Sequence, residues 1–219
     1  ESVGAHAARL EASLDLLEIA DVAFDLEQVN AAMIEMKDAI WAIERDRLRS
    51  AGAVRDLAGG LPEPPAVAAY WSIQAALSAI DRLEVRGRDS AGLQIFVSGH
   101  GLDTSGFGVG PVATRVGDTI FRTGSMRVVG DAIAFVYKTA AEIGELGDNS
   151  AALRQQIRSD ELLRKALCAD GSHAVVLGHT RWASIGVVSE PNAHPLDSYE
   201  IDVCDGPYVA AVLNGDVDN

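Results

Sequence analysis

From Ala5 to Ala51 the chain has neither glycine nor proline, and its apolar residues recur at helical spacing. Leu10, Leu14 and Leu17 form one stripe, and Val29, Met33, Met36, Ile40 and Ile43 form a second with alternating steps of four and three. The stripes are out of phase. The break falls near Asp25, where Gln28 three residues later completes a capping-box pattern, so the spacing predicts two helices rather than one rod. An antiparallel helical hairpin is expected over residues 1–60, as an appendage to the rest of the chain.

The run Ala58-Gly59-Gly60-Leu61-Pro62-Glu63-Pro64-Pro65 reads as a linker, because proline removes donors and glycine loosens the backbone. A further helix is expected from Val67 to Leu83, through Trp71, Ala75, Leu77, Ile80 and Leu83. Leu93 to Val97 alternates as a half-buried strand does, and Ser98 to Gly110, with five glycines and one charged residue, reads as a surface loop. Thr119 to Arg122 and Met126 to Val129 are expected to be short strands, while Ala132 to Gly144 suits a strand or a helix. Asn149-Ser150 and Ser159 are candidate caps for helices over Ala151 to Ile157 and Asp160 to Leu167. Strand character returns at Ala174 to Leu177, Ile201 to Val203 and Tyr208 to Leu213. Helices and strands do not alternate regularly, which favours an α+β fold over a doubly wound parallel sheet.

Composition narrows the function classes. With 219 residues, 48% of them hydrophobic and 23% charged, the chain can bury one good core. Its net charge of -14 opposes a nucleic-acid or anionic-membrane surface, since both demand basic patches. No apolar run approaches the roughly 20 residues of a membrane span, and no secretory leader pattern is visible, so a cytoplasmic protein is expected. Cys168 and Cys204 make neither a metal spacing nor a disulfide framework, and each reads as a small core residue; no metal and no cofactor are expected.

Candidate chemistry gathers near residue 180 and near the end of the sequence. Arg181, at the end of the Ala174 to Leu177 segment, offers a planar fork suited to a carboxylate, although a surface ion pair fits the same spacing. Trp182 beside it can lid a pocket or fill a core. Asn214-Gly215 can supply two donors to an oxyanion, and is equally a common hairpin turn.

Taken together, Arg86-Gly87-Arg88-Asp89-Ser90-Ala91-Gly92, Gly178 to Ser184, Ser189 to Pro195 and Asn214-Gly215 resemble, in order, the glutaminase domain of class II glutamine amidotransferases, closest to members that aminate a sugar phosphate. The phosphoribosyl-aminating members of the purine pathway are a more distant match. The resemblance spans about residues 80 to 219 and implies an N-terminal-nucleophile, four-layer αββα sandwich over 66–219, incomplete in this sequence. It further implies that L-glutamine is hydrolysed to glutamate and ammonia, and that the ammonia passes to a synthase domain, plausibly a sugar isomerase. Arg181 would then bind the glutamine carboxylate, and Trp182 and Ser184 would belong to the loop over the substrate. Asn214 and Gly215 would form the oxyanion hole, with Arg86 and Gly87 near the nucleophile.

The sequence departs from that family in four places. The family's nucleophile is an N-terminal cysteine whose own α-amine is the base, whereas this sequence opens Glu1-Ser2-Val3, and neither Cys168 nor Cys204 has a free α-amine. An aspartate that the family places after Asn-Gly, to hold the glutamine ammonium, is not reached before Asn219. Ile185 and Leu213 stand where the family has histidine. The chain is therefore read as a portion of a longer protein, inactive by itself, whose cysteine and strand lie upstream of a hairpin insertion. The alternative is a degenerate, non-catalytic binding or assembly module. Retention of Arg181, Trp182, Asn214 and Gly215 favours the first reading, and homo-oligomerisation is left open.

Overall fold

The computed structural model describes residues 2–16, 25–140, 145–183, 186–201 and 207–215. It divides into two compact units, Glu1–Ala53 and Val54–Asn219. The first unit begins with α1 (Val3–Asp15) and α2 (Leu26–Trp41), the latter capped by Asp25, whose carboxylate accepts the Glu27 N–H. A Cβ on Gly4 would lie beside Ile40 and Glu44, and Glu11 pairs with Lys37 at 2.7 Å, so the helices run antiparallel. The α1 seam is therefore Gly4, Ala7, Glu11 and Leu14. Leu10 points outward, 43% exposed, contrary to the expected stripe. A π-helical turn at Ala42–Arg47 follows α2, and its extra residue per turn rotates Ile43 off the Val29 to Ile40 stripe. Leu17 lies outside the described residues. The helix continues as α3 (Leu48–Leu57), within which the boundary between the units falls.

The second unit is built on α4 (Val67–Leu83) and a four-stranded antiparallel sheet. Its strands are β1 (Ser90–Ser98), β2 (Met126–Val129), β3 (Ala132–Ala140) and β4 (His173–Arg181), in the order β2-β3-β1-β4. One sheet face carries Leu93, Ile95 and Val97 of β1 with Ile133, Phe135 and Tyr137 of β3, all buried. Against it lie α4, through Tyr70, Ile73, Leu77 and Ile80, and α6 (Asp148–Ser159), through Leu153 and Ile157. Each such side chain contributes about 1.5 to 3 kcal/mol by leaving water. Trp71 and Leu83, expected on this face, are about half exposed; Leu77 and Ile80 are buried as expected, and Tyr70, Ile73 and Glu84 complete the buried stripe.

Several local expectations are corrected. Thr119 to Arg122 is irregular rather than a strand, and Phe121 holds a left-handed φ of 55°, which a ladder residue cannot adopt. Gly147, not Asn149, occupies the cap position of α6, and the buried Glu84 carboxylate accepts the Gly147 and Ser150 N–H groups in place of a local side chain. Asn149 instead donates to the Arg88 carbonyl at 2.8 Å. Helix α7 (Glu161–Leu167) is capped by Asp160 rather than Ser159. Cys168, at the end of α7, is only half-buried at the core's edge, and Cys204 lies outside the described residues. A short helix, α5 (Gly110–Val116), closes the glycine-rich loop.

The second face of the sheet was expected to meet solvent, yet β1 is buried on both sides. Ser90, Gly92, Gln94 and Phe96 alternate onto it, beside Lys138 of β3 and His179 of β4, both in register with Gly92. It is covered by residues of 189–201 and 207–213, including β5 (Leu196–Asp197) and β6 (Ala210–Ala211), which pair with each other. Asp197 accepts from Arg127 of β2 at 2.8 Å, while Tyr208 bonds Gln94 and stacks on Phe96. Strand structure in the last segment is thus only two residues, shorter than Tyr208 to Leu213. Ile201 is in a 3₁₀ turn, and residues 202–203 lie outside the described residues.

Candidate functional site

The run from Glu84 to Ser90 brings the chain from α4 into β1 through a 3₁₀ turn, and Gly87 presses its backbone on the end of β4. A Cβ there would stand 3.1 Å from Thr180 Oγ1 and 3.2 Å from the Arg181 backbone N and C, closer than a side chain sits comfortably. Asp89 completes the clamp from both directions. Its N–H donates to the Arg181 carbonyl at 3.1 Å, and its carboxylate accepts the Ala183 N–H at 2.7 Å. The two peptides flanking Trp182 are therefore fixed by one residue of the upstream run.

Arg181 ends β4 opposite Ser90, half-buried, and its Nη1 donates to the Asn192 carbonyl at 3.4 Å. Trp182 is 71% exposed and fills no core. Its ring borders a cleft of about 370 Å³ with Val85, Arg88, Asp89 and Leu146. Arg86 is exposed, one residue from the Gly87 contact. Ser184 lies outside the described residues.

The loop at 189–195 folds on itself, with the Ala193 N–H bonded to the carbonyls of Ser189 and Glu190, and seats its end on β1. A Cβ on Gly92 would be 2.1 Å from the His194 carbonyl oxygen, so only glycine admits the loop at this depth. The His194 ring then meets that of His179 of β4 at a tilt of 43°, centroids 4.6 Å apart. His194 Nδ1 accepts the Leu213 N–H at 3.2 Å, one residue before Asn214. Asn214 and Gly215 form an exposed bend, and Gly215, at φ +147°, holds a conformation that favours glycine. Thus Arg181, Gly87 and the segment entering Asn214 converge on the end of β4, while Trp182 turns outward to the neighbouring cleft.

Burial lowers the pKa of His194 from its ordinary 6.5 to about 4, assisted by His179 and by the positive charges of Arg181 and Lys138. Burial also lowers that of His179, opposed by a hydrogen bond with the Leu213 backbone and assisted by the charge of Arg181. Both imidazoles are neutral at pH 7. Among the described residues, no cluster of histidine, cysteine or carboxylate side chains could hold a metal ion. No described helix is long and apolar enough to cross a membrane.

Sequence reasoning assigned no role to Asp89, His179, His194 or Lys138. The first three sit inside the runs that carried the resemblance, so the signal was present and unassigned. Lys138 was visible only as a lone lysine in an apolar strand.

No protein-family model matches the sequence, and no solved structure matches it. Over 66 residues it is 39% identical to the glutamine–fructose-6-phosphate aminotransferase (isomerizing) of Neisseria meningitidis serogroup A / serotype 4A. The same values hold for the enzyme of that name from serogroup B. The match covers 30% of this chain and 9% of each relative, so the chain is similar to a glutamine-dependent aminotransferase over a limited stretch.

Proposed function

We propose that this chain carries the glutamine-binding side of a class II glutamine amidotransferase, with an N-terminal-nucleophile αββα architecture and an acceptor that is a sugar phosphate. The supporting observation is the convergence of Arg181, Gly87 and the Leu213-Asn214 segment at the end of β4, held by the loop seated on Gly92. In this reading the Arg181 guanidinium binds the α-carboxylate of glutamine in a region where His179 and His194 are neutral. Asn214 Nδ2 and the Gly215 N–H donate to the oxygen that becomes negative when the side-chain amide is attacked. The attacking group is an N-terminal cysteine of the full-length protein. Its thiolate displaces ammonia to leave a γ-glutamyl thioester, and water then releases glutamate and restores the thiol.

Replacing Arg181 with alanine in the full-length protein tests this. A charge-assisted pair contributes about 1.5 to 3 kcal/mol, so the glutamine KM should rise by roughly one to two orders of magnitude. An unchanged KM would remove Arg181 from substrate recognition. Release of ammonia without any aminated sugar phosphate, when fructose 6-phosphate is supplied, would refute the acceptor.

A further inference from the structure

β6 ends at Ala211, so by Leu213 the chain has left the ladder, and the donors assigned to the oxyanion lie beyond it. The bond from the Leu213 N–H to His194 Nδ1, 3.2 Å long, ties this segment back to the sheet. His194 is itself fixed twice. Its carbonyl rests on the bare Cα of Gly92, and its ring meets that of His179 at a tilt, two residues before Arg181 in β4. An imidazole acceptor thereby links the strand that ends in Arg181 to the segment that enters Asn214.

Resting on the glutaminase reading above, we infer that His194 is a positioning residue, whose Nδ1 holds the Leu213 peptide and so sets where Asn214 and Gly215 present their donors relative to Arg181. It touches neither the substrate nor the nucleophile in this role. The role requires an acceptor at the Nδ1 position and nothing basic, and an asparagine Oδ1 can stand close to that position. A merely space-filling imidazole would have no use for that acceptor.

The experiment compares the full-length protein with its His194→Ala and His194→Asn variants in glutamine hydrolysis and in amide hydrogen exchange of the segment around Leu213. Loss of one oxyanion donor costs about 10² to 10³ in kcat, so a misplaced pair should lower kcat of His194→Ala by on the order of 10- to 100-fold, with KM within about twofold. Exchange at Leu213 should quicken in the same variant, and His194→Asn should restore both readouts. A His194→Asn variant as impaired as His194→Ala, or quickened exchange with unaltered kcat, would overturn the inference. Should the unaltered protein not hydrolyse glutamine, the glutaminase reading falls on its own. Exchange then decides whether His194 holds the segment: protection lost in His194→Ala and kept in His194→Asn sustains the tie, and equal protection in all three rejects it.

Discussion

The carbonyl oxygen of His194 lies where the Cβ of any residue but glycine at position 92 would stand, with 2.1 Å between them. Neither partner can give way cheaply, since both belong to backbone, one in the central strand and one in the loop that covers it. Gly92→Ala should therefore cost about 1 to 3 kcal/mol as an overpacking change, measurable by urea unfolding. It should also loosen the loop at 189–195, seen as faster proteolysis there. A variant as stable as the parent, with an undisturbed loop, would show that the loop does not rest on β1.

Asp89 joins the upstream run to the peptides on either side of Trp182, through its own N–H and through a carboxylate that accepts at 2.7 Å. Asp89→Ala should lose about 1 to 3 kcal/mol and leave the Ala183 N–H without its acceptor, whereas Asp89→Asn keeps an acceptor and should lose less. Urea midpoints for the three proteins decide the matter. Equal midpoints for Asp89→Ala and the parent would mean that the clamp carries no stability.

What could be read from the sequence depends on the range of the interactions involved. The bounds of helix α4 were legible because its apolar periodicity and its proline-rich entry are local signals, although Trp71 and Leu83 were misplaced on its buried face. The cap of α6 was not, because Glu84 reaches it across more than sixty residues, and nothing near Asn149 announces that. Likewise β1 read as half-buried, since its alternation is the same whether the polar face meets water or a covering loop. Only Gly92, placed between Lys138 and His179, records that close approach. Arg181, Asn214 and Gly215 were singled out by motif. The histidines at 179 and 194 carry no role until the fold brings positions 179, 194 and 213 into contact.

The environment of His194 makes stability depend on pH in a definite direction. Among the described residues, the charges acting on its ring are those of His179, Arg181 and Lys138, and its pKa falls from 6.5 in the unfolded chain to about 4 in the fold. The folded state thus refuses a proton that the unfolded state accepts, so the contribution is complete above about pH 6.5 and is lost as the pH drops toward 4. Thermal midpoints measured between pH 8 and 4 should fall more steeply for the parent than for His194→Asn, the difference developing between 6.5 and 4. Parallel curves would mean that His194 titrates normally in the fold.

Arg127 and Asp197 form an ion pair whose side chains are 5% and 0% exposed, with the guanidinium also lying over the Phe121 ring at 4.7 Å. Removing one partner leaves a buried charge that has lost its counter-ion, so Arg127→Met or Asp197→Leu alone should cost about 3 to 5 kcal/mol. Joint replacement removes both charges and should lie closer to the parent than either single variant, a coupling that a double-mutant cycle in urea reads directly. Asp197 follows His194 by three residues, and the pair pins β5 to β2, so its loss should also release the loop from Gly92. Under the proposed function, the single variants should therefore bind glutamine more weakly even at temperatures where they remain folded. Additive losses in the cycle would show that Arg127 and Asp197 stabilise the fold independently, and that the loop is held from the Gly92 side alone.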